Sequence, residues 1–284
     1  MTRIVHFGDL HLRDRAELSL FERQLARAAD ERPDHIVISG DLVDRWNGRL
    51  LRGARRALAS DGLLDAARLT IIHGNHDLAS SGGWPRTRAD IPRMVLRFWD
   101  PPPLLAWRRA RFARLFAPAS EPLPFERQLG GGLRLLAIDS TPLPFLPFVA
   151  QGRRLRLLTA LGRLRERDLR WLASRAAAPS VLVIHHCPVL TPPLQWNGGR
   201  VIVPMHVEGS LDRFWSGAER AGVRLVLCGH IHHTRIFRQG AIAVAAQGQS
   251  GADWAGRPFS VHEVGEDGSL LRSQAIPQNG DSPR

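Results

Sequence analysis

The sequence of 284 residues contains no tyrosine and no lysine, only two cysteines, and no apolar run long enough to span a bilayer. Two cysteines, Cys187 and Cys228, cannot frame a chain of this length with disulfides, and so sparse a count fits buried thiols in a reducing compartment. Residues 1–9 enter a strand-like run with neither the basic segment nor the apolar stretch of a secretory leader, so a cytoplasmic location is expected. Without lysine, all 39 basic residues are arginine; against 27 acidic residues they give a formal net charge of +12. That excess has two readings: a solvated surface without a special partner, or an attraction for phosphates, nucleic acid or an anionic membrane surface.

What is present has the composition of a soluble protein, 44% hydrophobic and 23% charged, with length for one large domain or two small ones. Short apolar runs at 4–7, 35–39, 69–73, 133–138, 181–185 and 223–228 read as buried strands. Between the first two, Leu18, Phe21, Leu25 and Ala28 recur at helical spacing before Pro33 resets the chain, which makes a βαβ unit. Later runs at 234–238, 241–247, 259–264 and 270–276 are separated by Gly-containing turns and read as successive strands. The expected architecture is α/β, with mixed sheets and helices outside.

Two stretches break this rhythm. Residues 80–126 set Trp84, Trp99 and Trp107 among many arginines, and residues 141–156 place Pro142, Pro144, Pro147, Phe145, Leu146 and Phe148 ahead of an arginine cluster. Each reads as an insertion: either a helix or loop packing its aromatics on the domain, or a cap over an active site. The expectation is one domain over 1–276 with a loose polar tail at 277–284.

Polar residues collect where the strand-like runs stop. Asp9 and His11 follow the first, Gly40-Asp41 and Asp44 the second, and Gly74-Asn75-His76-Asp77 the third. His185-His186 closes the 181–185 run, and Gly229-His230-Ile231-His232 follows 223–228. In an open α/β sheet the carboxyl ends of parallel strands share one edge, so these five clusters would converge in one cleft. Asp and His donors suit Mn, Fe or Zn, and neither a thiolate set nor an all-oxygen calcium loop is present. One ion would leave several of these groups buried without partners, whereas two ions sharing a carboxylate use them all.

This ordered set resembles the calcineurin-like metallophosphoesterase superfamily, over roughly residues 1–276. The resemblance implies a four-layer α/β/β/α sandwich with a two-metal site at its strand ends. It implies that Asp9, His11, Asp41 and His232 hold one divalent ion and Asp41, Asn75, His185 and His230 the other, with Asp41 as the bridge. His186 would line the pocket, and Cys187 stands where the family commonly has the first proline of His-His-Pro-Pro. By the same resemblance His76 protonates or stabilises the leaving alkoxide, Asp44 orients and charges His76, and Asp77 supports from behind or caps a helix. Arg45 is a further candidate for a two-pronged hydrogen bond to a phosphate oxygen.

The implied activity is that of a phosphodiesterase or phosphatase on a nucleotide-type or other small-molecule phosphoester, through a metal-bridging hydroxide. A DNA exonuclease or endonuclease stays open, on the run Phe7-Gly8-Asp9-Leu10-His11-Leu12 and the net charge, although no sizeable C-terminal DNA-clamping domain is apparent. A hydrolase of nucleotide-linked lipid pyrophosphates, docked peripherally on a membrane, also stays open, although such enzymes commonly carry Arg where His76 stands. A non-catalytic interaction module predicts eroded positions, and none of the nine that matter, Asp9, His11, Asp41, Asp44, Asn75, His76, His185, His230 and His232, is eroded.

Overall fold

The computed structural model describes residues 1–80, 100–141, 148–157, 161–192, 194–196, 201–203, 205–248 and 259–276. The chain runs through β1 (Thr2–Phe7), β2 (His35–Ile38), β3 (Leu69–Ile71), β4 (Phe125–Gln128) and β5 (Arg134–Ala137). A hairpin of β6 (Phe148–Gln151) and β7 (Arg154–Leu157) leads to β8 (Gly162–Arg163), β9 (Ser180–Val183), β10 (Leu194–Trp196), β11 (Val201–Val203) and β12 (Val207–Glu208). The last five strands are β13 (Val223–Cys228), β14 (Arg235–Gln239), β15 (Ile242–Ala246), β16 (Phe259–Val264) and β17 (Leu270–Ile276).

One sheet has the order β17-β16-β1-β2-β3 and the other β14-β15-β13-β9-β5-β4. In each, the central strands are parallel: β1 with β2 and β3, and β5 with β9, β13 and β15. Strands that pair antiparallel close both edges of the second sheet and the β17 edge of the first, whose other edge is the parallel β3.

The two-residue period of the strands sorts the apolar residues into layers. On β2, Ile36 and Ile38 join an outer core while Val37 joins the layer between the sheets. On β5, β9 and β13 the same split separates Leu135 from Leu136, Val181 from Leu182 and Leu225 from Val226. Both faces of these strands are therefore buried, and helices have to cover the outer ones.

On the first sheet those helices are α1 (Arg15–Asp30), α2 (Gly48–Ser60) and α3 (Pro102–Phe116); on the second they are α4 (Glu166–Ala173) and α5 (Leu211–Arg220). Helix α1 begins where Asp14 accepts the Glu17 amide, and it buries Phe21, Leu25 and Ala28, the face read from the spacing. Burying Phe21 or Leu25 stabilises the fold by about 1.5–3 kcal/mol each. The result is the expected four-layer α/β/β/α sandwich.

Part of residues 80–126 belongs to this scaffold: Phe112 and Phe116 of α3 sit in the first core, and β4 is an edge strand of the second sheet. The hairpin within 141–156 joins β10 and β11 in a small sheet of order β10-β11-β7-β6. Trp84, Trp99, Pro142, Pro144, Phe145, Leu146, Pro147 and the tail lie outside the described residues.

Two imidazoles are enclosed between the sheets. His6 of β1 and His262 of β16 are buried, with ring centroids 5.6 Å apart, and His6 Nε2 is 2.9 Å from Ser39 Oγ. Burial holds His6 well below its ordinary value, with His262 adding to the effect, and burial alone takes His262 to about 4. Burial also holds His35 and His73 near 4.

Neutral histidine is thus the folded form, and the unfolded chain takes up protons that the folded chain refuses. The stabilisation is complete above pH 6.5 or so and is lost as pH falls from there toward about 4. The urea midpoint should drop across that window, and His262→Gln should make the decline shallower. An unchanged pH slope in the variant would remove His262 from the account.

Candidate metal centre

Each sequence cluster leaves the carboxyl end of a parallel strand. Asp9 and His11 follow β1, Asp41 and Asp44 follow β2, and Asn75, His76 and Asp77 follow β3. His185 and His186 follow β9, while His230 and His232 follow β13. The two sheets present these ends to one another, and side chains far apart in sequence meet there. His11 Nε2 lies 3.2 Å from His232 Nε2, and His185 Nε2 lies 3.0 Å from Asn75 Oδ1.

The backbone at this edge is bent in an unusual way. Among the described residues, seven that are not glycine have left-handed φ, and five of them are Asp9, His11, Asp41, His230 and His232, at 47° to 70°. Such conformations are uncommon outside glycine, least so for Asp, Asn and His, and they concentrate at functional sites. These turns follow β1, β2 and β13.

Close approach explains the glycines of the motifs. A Cβ on Gly40, where φ is +107°, would lie 2.6 Å from His185 Nδ1, and a Cβ on Gly74 would fall on Asp41 Oδ1. Gly74→Ala must therefore displace the Asp41 carboxylate. We expect about 10- to 100-fold weaker metal binding, the range typical when a ligand's support is removed. Equilibrium dialysis against manganese, with circular dichroism to confirm folding, checks this; unchanged affinity would mean that Asp41 is not held from this side.

Both buried aspartates are half-satisfied. Asp9 Oδ1 accepts the His230 amide at 2.9 Å, and Asp41 Oδ1 accepts the His76 amide at 2.8 Å. The other oxygen of each, Asp9 Oδ2 and Asp41 Oδ2, has no hydrogen-bond partner among the described residues. Asp41 Oδ2 instead lies 3.3 Å from His185 Nε2 and 3.8 Å from His11 Nε2.

A buried carboxylate oxygen without a donor is costly, and a cation among these groups removes the cost. Ligand atoms of Asp9, His11 and His232 lie within 4.8 Å of one another, as do those of Asp9, Asp41 and His185, of His185, His186 and His230, and of His11, Asp44 and His76. These groups could hold metal ions, and their O and N donors fit the divalent metals inferred from the sequence.

The electrostatics point the same way. Burial pushes the Asp9 carboxyl up to about 7, with His185 pulling it down and Asp41 pushing it further up. Asp41 also meets the penalty of burial, but His185, His76 and His11 outweigh it and hold Asp41 well below the usual carboxylate range. For His185 burial works downward and Asp41 upward, and the balance leaves the imidazole at about 9. Asp41 is thus the negative focus around which positive charge gathers.

Hydrogen bonds fix the rings. His185 Nδ1–H donates to the Ser39 carbonyl at 2.9 Å, which turns Nε2 toward Asp41 and Asn75. His76 Nδ1–H donates at 2.7 Å to the main-chain carbonyl of Asp44, so orientation of His76 comes from that carbonyl rather than from the carboxylate. The Asp44 carboxylate lies 3.8 Å from His11 Nδ1 and acts on His76 through charge. Burial lowers His76, while Asp41 and Asp44 raise it, and the net shift is upward.

Asp77 stands behind the site, accepting the amides of Val43 at 3.0 Å and Gly74 at 2.9 Å, and so ties two of the loops together. Arg45 is exposed beside Asp44. His186 is buried; Ser140 Oγ accepts its amide at 3.0 Å and lies 2.9 Å from its Nδ1, while Nε2 has no hydrogen-bond partner among the described residues. Cys187 and Cys228 are free, buried and hydrogen-bonded to each other.

Ser39 and Ser140 escaped the sequence reading. Ser140 nevertheless carries the same signal as the motifs: with Asp139 and Thr141 it follows an apolar strand, β5, at the same edge. Ser39 acts on His185 through its carbonyl, which no residue type announces.

A sandwich of two mixed sheets with Asp, His and Asn donors gathered at its strand ends defines a class of phosphoester hydrolases. The chain belongs to the calcineurin-like phosphoesterase family, which residues 2–234 match. It is 27% identical over 208 residues to a cAMP/cGMP dual specificity phosphodiesterase of Mycobacterium tuberculosis, covering 72% of this chain and 50% of that protein. Over 88 residues it is 35% identical to a Synechococcus protein named a probable cyclic nucleotide phosphodiesterase, covering 27% of this chain and 33% of that one. The chain therefore spans half or less of the length of these relatives. A dimetal phosphatase from Danio rerio shares the fold at a TM-score of 0.60 and 14% identity, over 98% of this chain and 96% of that one. Among the described residues no helix is long and apolar enough to cross a membrane.

Proposed function

We propose that this chain is a metal-dependent phosphodiesterase or phosphatase acting on a nucleotide-type or other small-molecule phosphoester. The observation that carries the proposal is the pair of buried aspartates: each has one oxygen anchored by an amide, Asp9 Oδ2 has no hydrogen-bond partner among the described residues, and Asp41 Oδ2 faces the His185 imidazole at 3.3 Å. The cyclic nucleotide phosphodiesterases among the relatives support the substrate class.

Asp9, His11, Asp41 and His232 would hold one divalent ion, and Asp41, Asn75, His185 and His230 a second, with Asp41 shared. The donors suit Mn, Fe or Zn. Two such ions, when bound, supply a water of lowered pKa and neutralise charge on the phosphoryl oxygens.

The remaining steps belong to the protein's own groups. With Nδ1–H fixed on the Asp44 carbonyl, His76 keeps Nε2 for the leaving-group oxygen, and the charges of Asp41 and Asp44 favour the protonated ring that can donate there. Ser140 accepts the His186 amide, so its own hydroxyl is available to donate to His186 Nδ1. That places a proton on His186 Nε2, where it can meet a phosphoryl oxygen. Arg45 extends from the same loop and can add a second donor pair. We take residues 1–276 as one domain, with 277–284 as a tail.

A manganese-supplemented hydrolysis screen across cyclic nucleotides, nucleotide diphosphate conjugates, phosphomonoesters and DNA tests the proposal, alongside metal analysis by mass spectrometry. Metal-dependent turnover of a small phosphoester is expected. Absence of metal-dependent hydrolysis on every substrate would overturn the proposal, and turnover confined to DNA would replace it with the nuclease reading.

A further inference from the structure

The loop that carries Asp44 continues through Arg45 to Trp46, and Trp46 meets a second indole. The rings of Trp46 and Trp107, the latter on α3, have centroids 5.6 Å apart and planes at 59°. Trp46 is partly buried against the first core, but Trp107 is 47% exposed. An exposed indole beside the loop of Asp44 offers an apolar body with a polar tip, the kind of surface that ligands use.

The pair is rigid and close to the metal centre. The Trp46 amide donates to the Ala79 carbonyl at 2.8 Å, three residues after His76, so Trp46 is pinned between the two loops that hold Asp44 and His76. Its Cα is at most about 7 Å from that of Asp44 along the chain. Arg108 lies against Trp46, its Cζ 5.5 Å from the ring centroid, and is itself fixed on the Leu78 carbonyl at 2.6 Å and on Asp100 at 2.9 Å. Phe112 and Phe116 anchor α3 in the core, so Trp107 projects from a fixed helix. Around it the charge is positive: Arg111 Cζ is 5.5 Å from the Trp107 centroid, and both Arg111 and Arg45 are exposed.

We infer that Trp107, backed by Trp46, is a stacking platform for the base of a nucleotide whose phosphate lies at the metal centre. The inference rests on the phosphoester reading above and narrows it to base-bearing substrates. An exposed indole takes any planar base, and the Arg111 guanidinium over its ring together with the exposed Arg45 suits an anionic ligand. Arg45, exposed, stands between Asp44 and Trp46 in the chain.

The test uses the manganese-loaded full chain with adenosine 5′-monophosphate and ribose 5-phosphate, which share the ester and differ in the base. The KM for the nucleotide should be about 10-fold lower or better in the wild type, the loss in Trp107→Ala should fall on KM, and Trp107→Phe should restore most of it. A ratio near one in the wild type, or one that survives in Trp107→Ala, overturns the inference.

If neither ester is hydrolysed, calorimetric binding of the same two compounds gives the ratio directly. The platform then stands or falls independently of the catalytic reading. Sedimentation of the wild type but not Trp107→Ala with phosphatidylserine vesicles, with no base preference, would assign the indole to a lipid surface and sink the platform.

Discussion

Asp41→Asn should lose metal and hydrolysis together. Asp41 is the residue common to both proposed ligand sets, and its free oxygen faces His185 and His11. The amide keeps an acceptor for the His76 amide and tolerates the left-handed backbone at φ 52°, so the turn survives. What disappears is the negative charge that the surrounding histidines compensate. Metal content after dialysis should fall from two ions per chain toward none, and turnover should fall to the uncatalysed level. Asp41→Ala removes the acceptor as well and should give the same loss with lower stability. An Asp41→Asn protein that retains both ions at wild-type affinity would take Asp41 out of the centre.

His76→Ala should separate what Asp41→Asn joins. Metal content should stay at the wild-type value while turnover of an ester with a poor leaving group falls about 10²- to 10⁴-fold, the range for loss of a positioned acid. With p-nitrophenyl phosphate, whose leaving group needs no proton, the loss should be much smaller. The contrast between the two esters is the informative quantity, because a general disturbance of the site would slow both alike. His76 packs edge-on against His11, with centroids 4.6 Å apart, and shares with His11 and Asp44 a group that could hold an ion. Loss of one ion per chain in His76→Ala would therefore make His76 a ligand and withdraw its role as acid.

Much of this was legible in the sequence because it depends on alternation and position. The apolar runs named the strands, and at five of the six a proposed site residue stands at the end of the run or just past it, since parallel strands deliver their carboxyl ends to one edge; the 133–138 run, ahead of Asp139 and Ser140, is the exception. Asp9, Asp41, Asn75, His185 and His230 come together on that logic alone.

The rest was hidden for physical reasons. The carbonyls of Ser39 and Asp44 orient His185 and His76, and a carbonyl has no signature in sequence. The sheet that joins β6 and β7 to β10 and β11 pairs segments tens of residues apart, with no turn signal to announce it. Helix α3 looked like part of an insertion because its arginines dominate its composition, yet Phe112 and Phe116 decide where it packs.

The left-handed turns at Asp9, His11, Asp41, His230 and His232 constrain these positions twice. In the proposed ligand sets each residue must offer a donor atom, and each must also accept a backbone conformation that costs most L-residues about 1–2 kcal/mol. Glutamate in place of Asp41 would fail on reach and on the turn at once, and a β-branched residue would fail on the turn alone. Side chains of the same kinds grafted onto straight strand ends of another protein would aim elsewhere, so the bent loops have to be transplanted along with the donors.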